Sequence, residues 1–377
     1  MIETPGVPFS AIAFLLVIGP LIFIHEMGHY LAGRWFGVKA ETFSIGFGRE
    51  ILGWTDKRGT RWKVGWMPLG GYVKFAGDMN PASQASPEWL ALPPEERAQT
   101  FQGKKVWQRF IIVFAGPAIN FLFAIVVFAA LFAIAGQPRT PPVVALVDPG
   151  SAAARAGILP GDRIQRIAGR EVQRFEDISS VVVIRPGQSL DIELERGGRP
   201  LRLSATPTSE LERDRFGNEF RRGLLGVRPV QAVVEPVPFW RLPGAAIGHT
   251  ANTVVMMVET LGQVITGRRS VRELGGPLAI AKFSGQQASL GFLTFIAFMA
   301  LISINLGFIN LLPIPMLDGG HLLFYLAEGV RRKPLRPETQ EWAFRTGLFA
   351  LLALMLFVTF NDLASFGLWQ RLGGLIG

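Results

Sequence analysis

The sequence has no cysteine, which excludes disulfides, iron–sulfur clusters and every cysteine-ligated zinc site, so any metal must rest on histidine and carboxylate. Charge is scarce as well, at 18% of 377 residues, and its balance is lopsided, with 29 Asp and Glu against 38 Lys and Arg. That composition argues against a long disordered chain. The net charge of +9 comes from basic residues gathered beside apolar stretches, which assigns it to retention at the membrane lipid surface and to topology, with no nucleic-acid partner. What fills the sequence instead is apolar: 49% hydrophobic residues and 43 glycines besides, roughly 60% together against the usual 45–50% of soluble domains.

Four stretches approach the roughly 20 apolar residues that a bilayer core demands of a helix. Residues 11–31 are apolar apart from His25, Glu26 and His29; residues 110–135 and 292–312 carry no charge; residues 344–360 have only Arg345, at their edge. A fifth candidate, 247–265, holds Glu259, His249 and several polar residues, so it is expected to be an interfacial or amphipathic helix. No basic residue precedes the first apolar run and no small-residue cleavage pattern closes it, so it is expected to stay as a spanning helix. The first seven residues have no Lys or Arg, residues 34–109 hold twelve and the 331–336 turn holds four, which places both loops in the cytosol and both termini and the 136–290 segment on the opposite side.

From Pro141 the texture turns to strands and turns: PVVALV, DPGS, a short Ala-rich helix, LPGD, RIQRI, a helical FEDISSVVV, and alternating LDIELE before LRLSA. The order resembles a PDZ domain, above all in DPGSAAARAGILPGDRIQRIAGREV. The resemblance implies binding of extended peptides or chain ends by strand addition; the alternative is a steric cap that binds nothing.

His25-Glu26-Met27-Gly28-His29 sets two imidazoles four residues apart, about 40° from eclipsed on a helix, so both face one side. Glu26 lies about 100° around, within reach of a metal-bound water as general base. An HExxH alone is a weak signal, but ionisable residues at the end of a spanning helix carry a desolvation cost and mark function. Zinc needs a third protein ligand and an open position. Asp318 is the first candidate, in Asn310-Leu-Leu-Pro-Ile-Pro-Met-Leu-Asp-Gly-Gly-His321, where two prolines break the third helix near the bilayer boundary; His321 is the rival. With 247–265 outside the membrane, the third helix runs toward the cytosol and brings Asp318 level with the histidines. Were that segment to span, Asp318 would lie across a bilayer about 30 Å thick.

These motifs resemble the site-2 protease family of intramembrane zinc metalloproteases, and within it the bacterial regulator-of-sigma-E protease branch. The resemblance covers nearly the whole chain through HEMGH, FSIGFGRE at 43–50, MPLGGYVKFAGD at 67–78, GPAINF at 116–121, GGPLAIAK at 275–282 and SINLGFINLLPIPMLDGGH at 303–321. It implies one zinc held by His25, His29 and Asp318, base catalysis by Glu26, and cleavage of single-pass transmembrane proteins already trimmed at their ectodomain, such as anti-sigma factors or remnant signal peptides. The best-known members carry two tandem PDZ domains, whereas 141–228 leaves room for one.

The expected fold is a polytopic α-helical membrane protein of the bacterial inner membrane, with four transmembrane helices, a cytosolic membrane-associated β-hairpin region and one periplasmic PDZ-like α+β domain. Its parts are a first helix with HExxH (1–36), a cytosolic loop with a re-entrant hairpin (37–107), a second helix (108–136), the PDZ-like domain (141–228), a periplasmic linker with an amphipathic helix (229–290), and two helices with the LDG motif (291–377). A helical substrate must unwind before hydrolysis, and residues 60–76 read as a hairpin turning at Pro68 to Gly71 whose edge, at Gly70, Gly71, Tyr72 and Val73, could pair with it. Trp62, Trp66, Tyr72 and Phe75 suit the bilayer interface. The resemblance implies that Asn305 and Asn310 bond substrate backbone, the alternative being helix–helix hydrogen bonds. The break at Pro313, Pro315 and Gly319-Gly320 gives a polar entry for water from the cytosolic side, and Pro313 and Pro315 are expected among the substrate-binding residues. A non-catalytic membrane adaptor using the PDZ-like domain is the main competing reading. A transporter would need charges spread over several helices, which helices two and four lack centrally.

Overall fold

The structure, a computed structural model, describes residues 5–77, 92–183, 185–213, 219–231, 233–266, 275–333 and 335–365. Asp78 of the 67–78 motif, Pro334 of the 331–336 turn and the C-terminal residues beyond 365 lie outside them. The main helices in chain order are α1 (Val7–Trp35), α2 (Val106–Ala135), α3 (Ala152–Arg155), α4 (Phe175–Val183), α5 (Leu242–Ile265), α6 (Pro277–Ser289), α7 (Phe292–Leu311), α8 (Asp318–Arg331) and α9 (Pro337–Ser365). Among the described residues four helices are long and apolar enough to cross a membrane: α1, α2, α7 and the Glu338–Leu363 portion of α9. The α5 helix, the fifth candidate, is not one of them. At 1.5 Å per residue, the 29 residues of α1 reach about 43 Å, beyond the hydrocarbon core and into the headgroup layer.

Two compact units divide the chain, one of residues 1–129, 243–257 and 274–377, the other of 130–242 and 258–273. In the first, α1 and α2 pack against a small sheet. Strands β1 (Ala40–Thr55) and β2 (Arg61–Phe75) form a long ribbon that folds over on itself. Residues 52–55 pair antiparallel with 61–64; 42–45 then lie beside 61–64 with both numbers rising; and 71–75 pair antiparallel with 40–45 on the far side. The expected hairpin is therefore corrected. The tight turn is at 56–60, closed by Asp56, whose carboxylate accepts from the Arg58 and Thr60 amides, a turn residue acting through its side chain. The chain does reverse between 65 and 71, but its two arms flank 42–45 instead of pairing with each other. Of the aromatics read as interfacial, Phe75 is buried, and Trp62, half-buried, stacks on Phe43 at 4.4 Å while donating to Asp56. Trp66 is exposed and Tyr72 half-buried.

Tyr30 of α1, Phe43, Phe75, Phe101, Ile112 of α2 and Tyr325 of α8 form one apolar cluster, locking the sheet between helices. Beside it Glu328 of α8, 6% exposed, accepts from Arg109 of α2 at 3.2 Å and from the Leu335 amide at 3.2 Å. Glu328 thus has a donor at each carboxylate oxygen, as a buried charge requires, while Arg109 Nε is buried without a partner. The α6 helix, expected to be part of the linker, belongs to the membrane unit. It packs on α1 at Ser10, and buried Asp362 of α9 accepts from its Gly276 and Ala279 amides, filling donors that a helix start leaves open.

The second unit is α+β. Strands β3 (Gln137–Arg139) and β12 (Val233–Glu235) pair at its entrance and exit; β4 (Val144–Val147) pairs with β11 (Val227–Pro229), and β9 (Thr208–Arg213) with β10 (Glu219–Leu224). A four-stranded sheet runs in the order β6 (Arg170–Glu171), β5 (Arg163–Ile167), β7 (Leu190–Arg196), β8 (Arg199–Ala205). The LDIELE alternation puts Leu190, Ile192 and Leu194 inward against Ile178, Val181 and Val182 of α4, as period-two patterning requires. Asp162, fully buried, is gripped by Arg196 at 2.7 Å through both Nε and Nη2 and by the Leu159 amide at 2.8 Å. Burial opposes the charge on Asp162, but these donors outweigh it and hold the carboxyl below the usual carboxylate range.

Candidate metal centre and catalytic cavity

His25 and His29 stand one turn apart on α1, their Nε2 atoms 3.3 Å from each other. Asp318 comes from nearly 300 residues downstream. The α7 helix ends at Leu311, a loop containing Pro313 and Pro315 follows, and α8 begins at Asp318 itself. Its Oδ2 lies 3.1 Å from His25 Nε2 and 3.5 Å from His29 Nε2. A tetrahedral zinc about 2.05 Å from each of three ligand atoms sets them about 3.3 Å apart, so all three edges of this triangle match. Asp318 Oδ2 is buried and accepts no conventional hydrogen bond. An orphaned carboxylate oxygen facing two imidazole nitrogens suits a cation between them. His321, the rival ligand, is not in this group; it lies one turn further along α8, its ring 4.9 Å from that of Phe344.

The imidazoles are held from behind by α2. His29 Nδ1 lies 3.0 Å from the Ile112 carbonyl, which can only accept, so Nδ1 carries the proton and Nε2 keeps its lone pair. A Cβ at Gly116 would lie 2.2 Å from His29 Nε2, so only glycine leaves room for the ring. One further turn on, the Asn120 side chain meets His25 Nδ1 at 3.1 Å.

Glu26 is buried beside the triangle, and the Val73 amide of β2 donates to its carboxylate. Gly71 lies against α1, where a Cβ would strike Glu26, Ile22 and the Ser44 carbonyl within 3 Å. The strand thus reaches the metal group with its backbone. A cavity of about 700 Å³ opens here, lined by His25, Glu26, His29 and Asp318 together with Gly70, Gly71, Tyr72, Val73, Asn310 and His321. Asn305, Pro313 and Pro315 do not line it; Pro313 is exposed and Pro315 abuts Gly347 of α9. Neither Gly116 nor Asn120 is legible as a site residue from the sequence. Their only signal was GPAINF, a glycine and a lone amide inside an uncharged span, where a polar group needs a reason.

The model of Peptidase family M50 matches residues 13–354. The chain belongs to peptidase family M50, the site-2 proteases. M50 membership makes it a zinc metalloendopeptidase, which removes the adaptor reading. A protein of Agrobacterium fabrum named as a zinc metalloprotease is 46% identical over 94% of this chain and 95% of its own length. One from Rhizobium meliloti is 43% identical over 93% and 95%, and metalloprotease MmpA of Caulobacter vibrioides is 36% identical over 98% and 99%. The PDZ domain of the SdrC-like protein of Listeria monocytogenes matches 23% of this M50 chain and 85% of its own at 19% identity and a TM-score of 0.19, a likeness that carries no inference.

Proposed function

We propose that this protein hydrolyses peptide bonds within the transmembrane segments of single-pass membrane proteins whose ectodomains have already been trimmed, the second cut of regulated intramembrane proteolysis. His25, His29 and Asp318 hold the zinc, and anti-sigma factors or remnant signal peptides are the substrate type, in the bacterial inner membrane with the metal toward the cytosol and both termini and the PDZ-like unit toward the periplasm. One observation carries the reading: the three-ligand group opens onto a cavity walled on one side by an edge of β2 that pairs with no second strand among the described residues. An intramembrane helix presents no free backbone until it unwinds, and a sheet edge offers the unwound segment replacement partners. Zinc supplies Lewis acidity, activating water and stabilising negative charge on the scissile carbonyl oxygen. Glu26 takes the proton of the attacking water and hands it to the leaving amine. Val73 shares its amide between Glu26 and the incoming strand, and Asn310 donates to substrate backbone from α7. The PDZ-like unit screens ectodomains or holds a peptide end.

The test is Glu26→Gln in purified full-length protein. It keeps the ligand set, so zinc content should stay at one per chain, while cleavage of a transmembrane stub should fall about 10²- to 10⁴-fold with the base gone. His25→Ala, His29→Ala and Asp318→Asn should lose metal and activity together. Proteolysis retained by Glu26→Gln would refute the assignment.

A further inference from the structure

We infer that Asn120 is a positioning residue for the metal: it fixes the His25 imidazole in the one tautomer able to bind zinc. The inference rests on His25 being a zinc ligand, as proposed above. His25 turns Nε2 toward Asp318 and His29, so that nitrogen must keep its lone pair, and the proton of a neutral ring must sit on Nδ1. Nδ1 then needs an acceptor. The group facing it is the Asn120 side chain, 3.1 Å away and fully buried on α2.

The two ends of that amide are interchangeable by a half-turn. With nitrogen toward the ring, Nδ2 meets Nδ1 and Oδ1 is left buried without a donor. Such an arrangement would force the proton onto Nε2 and close the metal position. With oxygen toward the ring, Oδ1 accepts from Nδ1–H and Nε2 faces the zinc. A zinc at Nε2 therefore requires the amide's oxygen, not its nitrogen, against His25.

The surroundings hold Asn120 at that height. Ser303 of α7 donates to the Asn120 backbone carbonyl at 2.9 Å, pinning α2 to the helix that leads into the Asp318 loop. Along α2, Ile112, Gly116 and Asn120 recur every four residues on one face. The first supplies a carbonyl to His29, the second the space for its ring, the third an acceptor for His25. His29 is served by backbone that no substitution removes; His25 depends on a side chain.

The experiment is zinc affinity of the full-length protein in detergent, by competition with a chromophoric chelator, alongside the melting temperature of each metal-free variant. Asn120→Leu, similar in size but without an acceptor, should bind zinc about 10- to 100-fold more weakly, the usual cost of losing an outer partner, with the metal-free melting temperature unchanged. Asn120→Asp restores the acceptor and should hold zinc within about threefold of wild type. Folded Asn120→Leu with wild-type affinity would overturn the inference, as would Asp and Leu losing affinity equally. If Leu fails to fold, Asn120→Ser, too short to reach the ring, takes its place against Asp under the same two outcomes. His25→Ala separates this from the ligand assignment. If His25→Ala binds as wild type, the assignment itself is wrong; if it loses zinc while Asn120→Leu does not, only the role of Asn120 falls.

Discussion

Proline at Val73 and proline at Lys74 should fail in different ways, because backbone direction alternates along a strand. The Ala76 amide donates to the Lys39 carbonyl, toward β1. Counting back by twos turns the Lys74 and Tyr72 amides toward β1 as well, and those of Phe75 and Val73 away from it. The donation from Val73 to Glu26 agrees with that parity. Val73→Pro thus removes a donor on the open edge, whereas Lys74→Pro removes one that holds the sheet together. A net backbone hydrogen bond of about 0.5–1.5 kcal/mol corresponds to roughly a 2- to 12-fold loss in kcat/KM on a helical substrate. A glycine near the scissile bond lowers the cost of unwinding by about 1 kcal/mol, enough to recover most of that loss. Val73→Ala keeps the amide and should stay near wild type, and Lys74→Ala keeps its amide too while giving up the exposed ion pair with Glu41 at 2.9 Å. Lys74→Pro should lower the melting temperature and cut both substrates equally poorly. The assay is cleavage of paired helical and glycine-broken stubs by the four variants, with zinc content checked. Equal losses for Val73→Pro and Val73→Ala would refute the clamp. A Val73→Pro defect of equal size on both substrates would assign the amide to Glu26 alone.

Gly116→Ala should displace the His29 ring, since the new Cβ would lie 2.2 Å from Nε2, and lower zinc affinity by 10-fold or more, about the cost of a lost outer-shell contact or greater; chelator competition reads it. Deleting residues 141–228 should leave cleavage of an already short substrate intact while admitting longer ectodomains, and a folded deletion protein inactive on short substrates would contradict the filter. In the second unit, Asp162 titrates lower folded than unfolded, so its contribution is full above about pH 4 and disappears as pH falls through the depressed value. Asp162→Asn should therefore cost about 2 kcal/mol at neutral pH, discounted for the part-exposed Arg196, and nothing in strong acid, as read by hydrogen exchange over residues 144–205 of the whole protein.

Sequence alone determined what is local or repetitive. Uncharged runs long enough to span, the four-residue spacing of His25 and His29, the proline break before Asp318 and the LDIELE alternation each follow from one helix or strand. Topological parity added the level at which Asp318 meets the histidines. Tertiary structure decided what depends on a neighbour distant in the chain. The 60–76 hairpin failed because 42–45 lies between its arms, and no pattern within seventeen residues reveals an intruding strand. Trp62 looks interfacial until Phe43 covers it. Gly116 and Asn120 look like a small residue and an isolated amide in an apolar helix; only the crossing of α1 and α2 makes one the space for a ring and the other its hydrogen-bond partner. Spacing fixes which residues share a helix face, but the helix opposite decides what that face must contain.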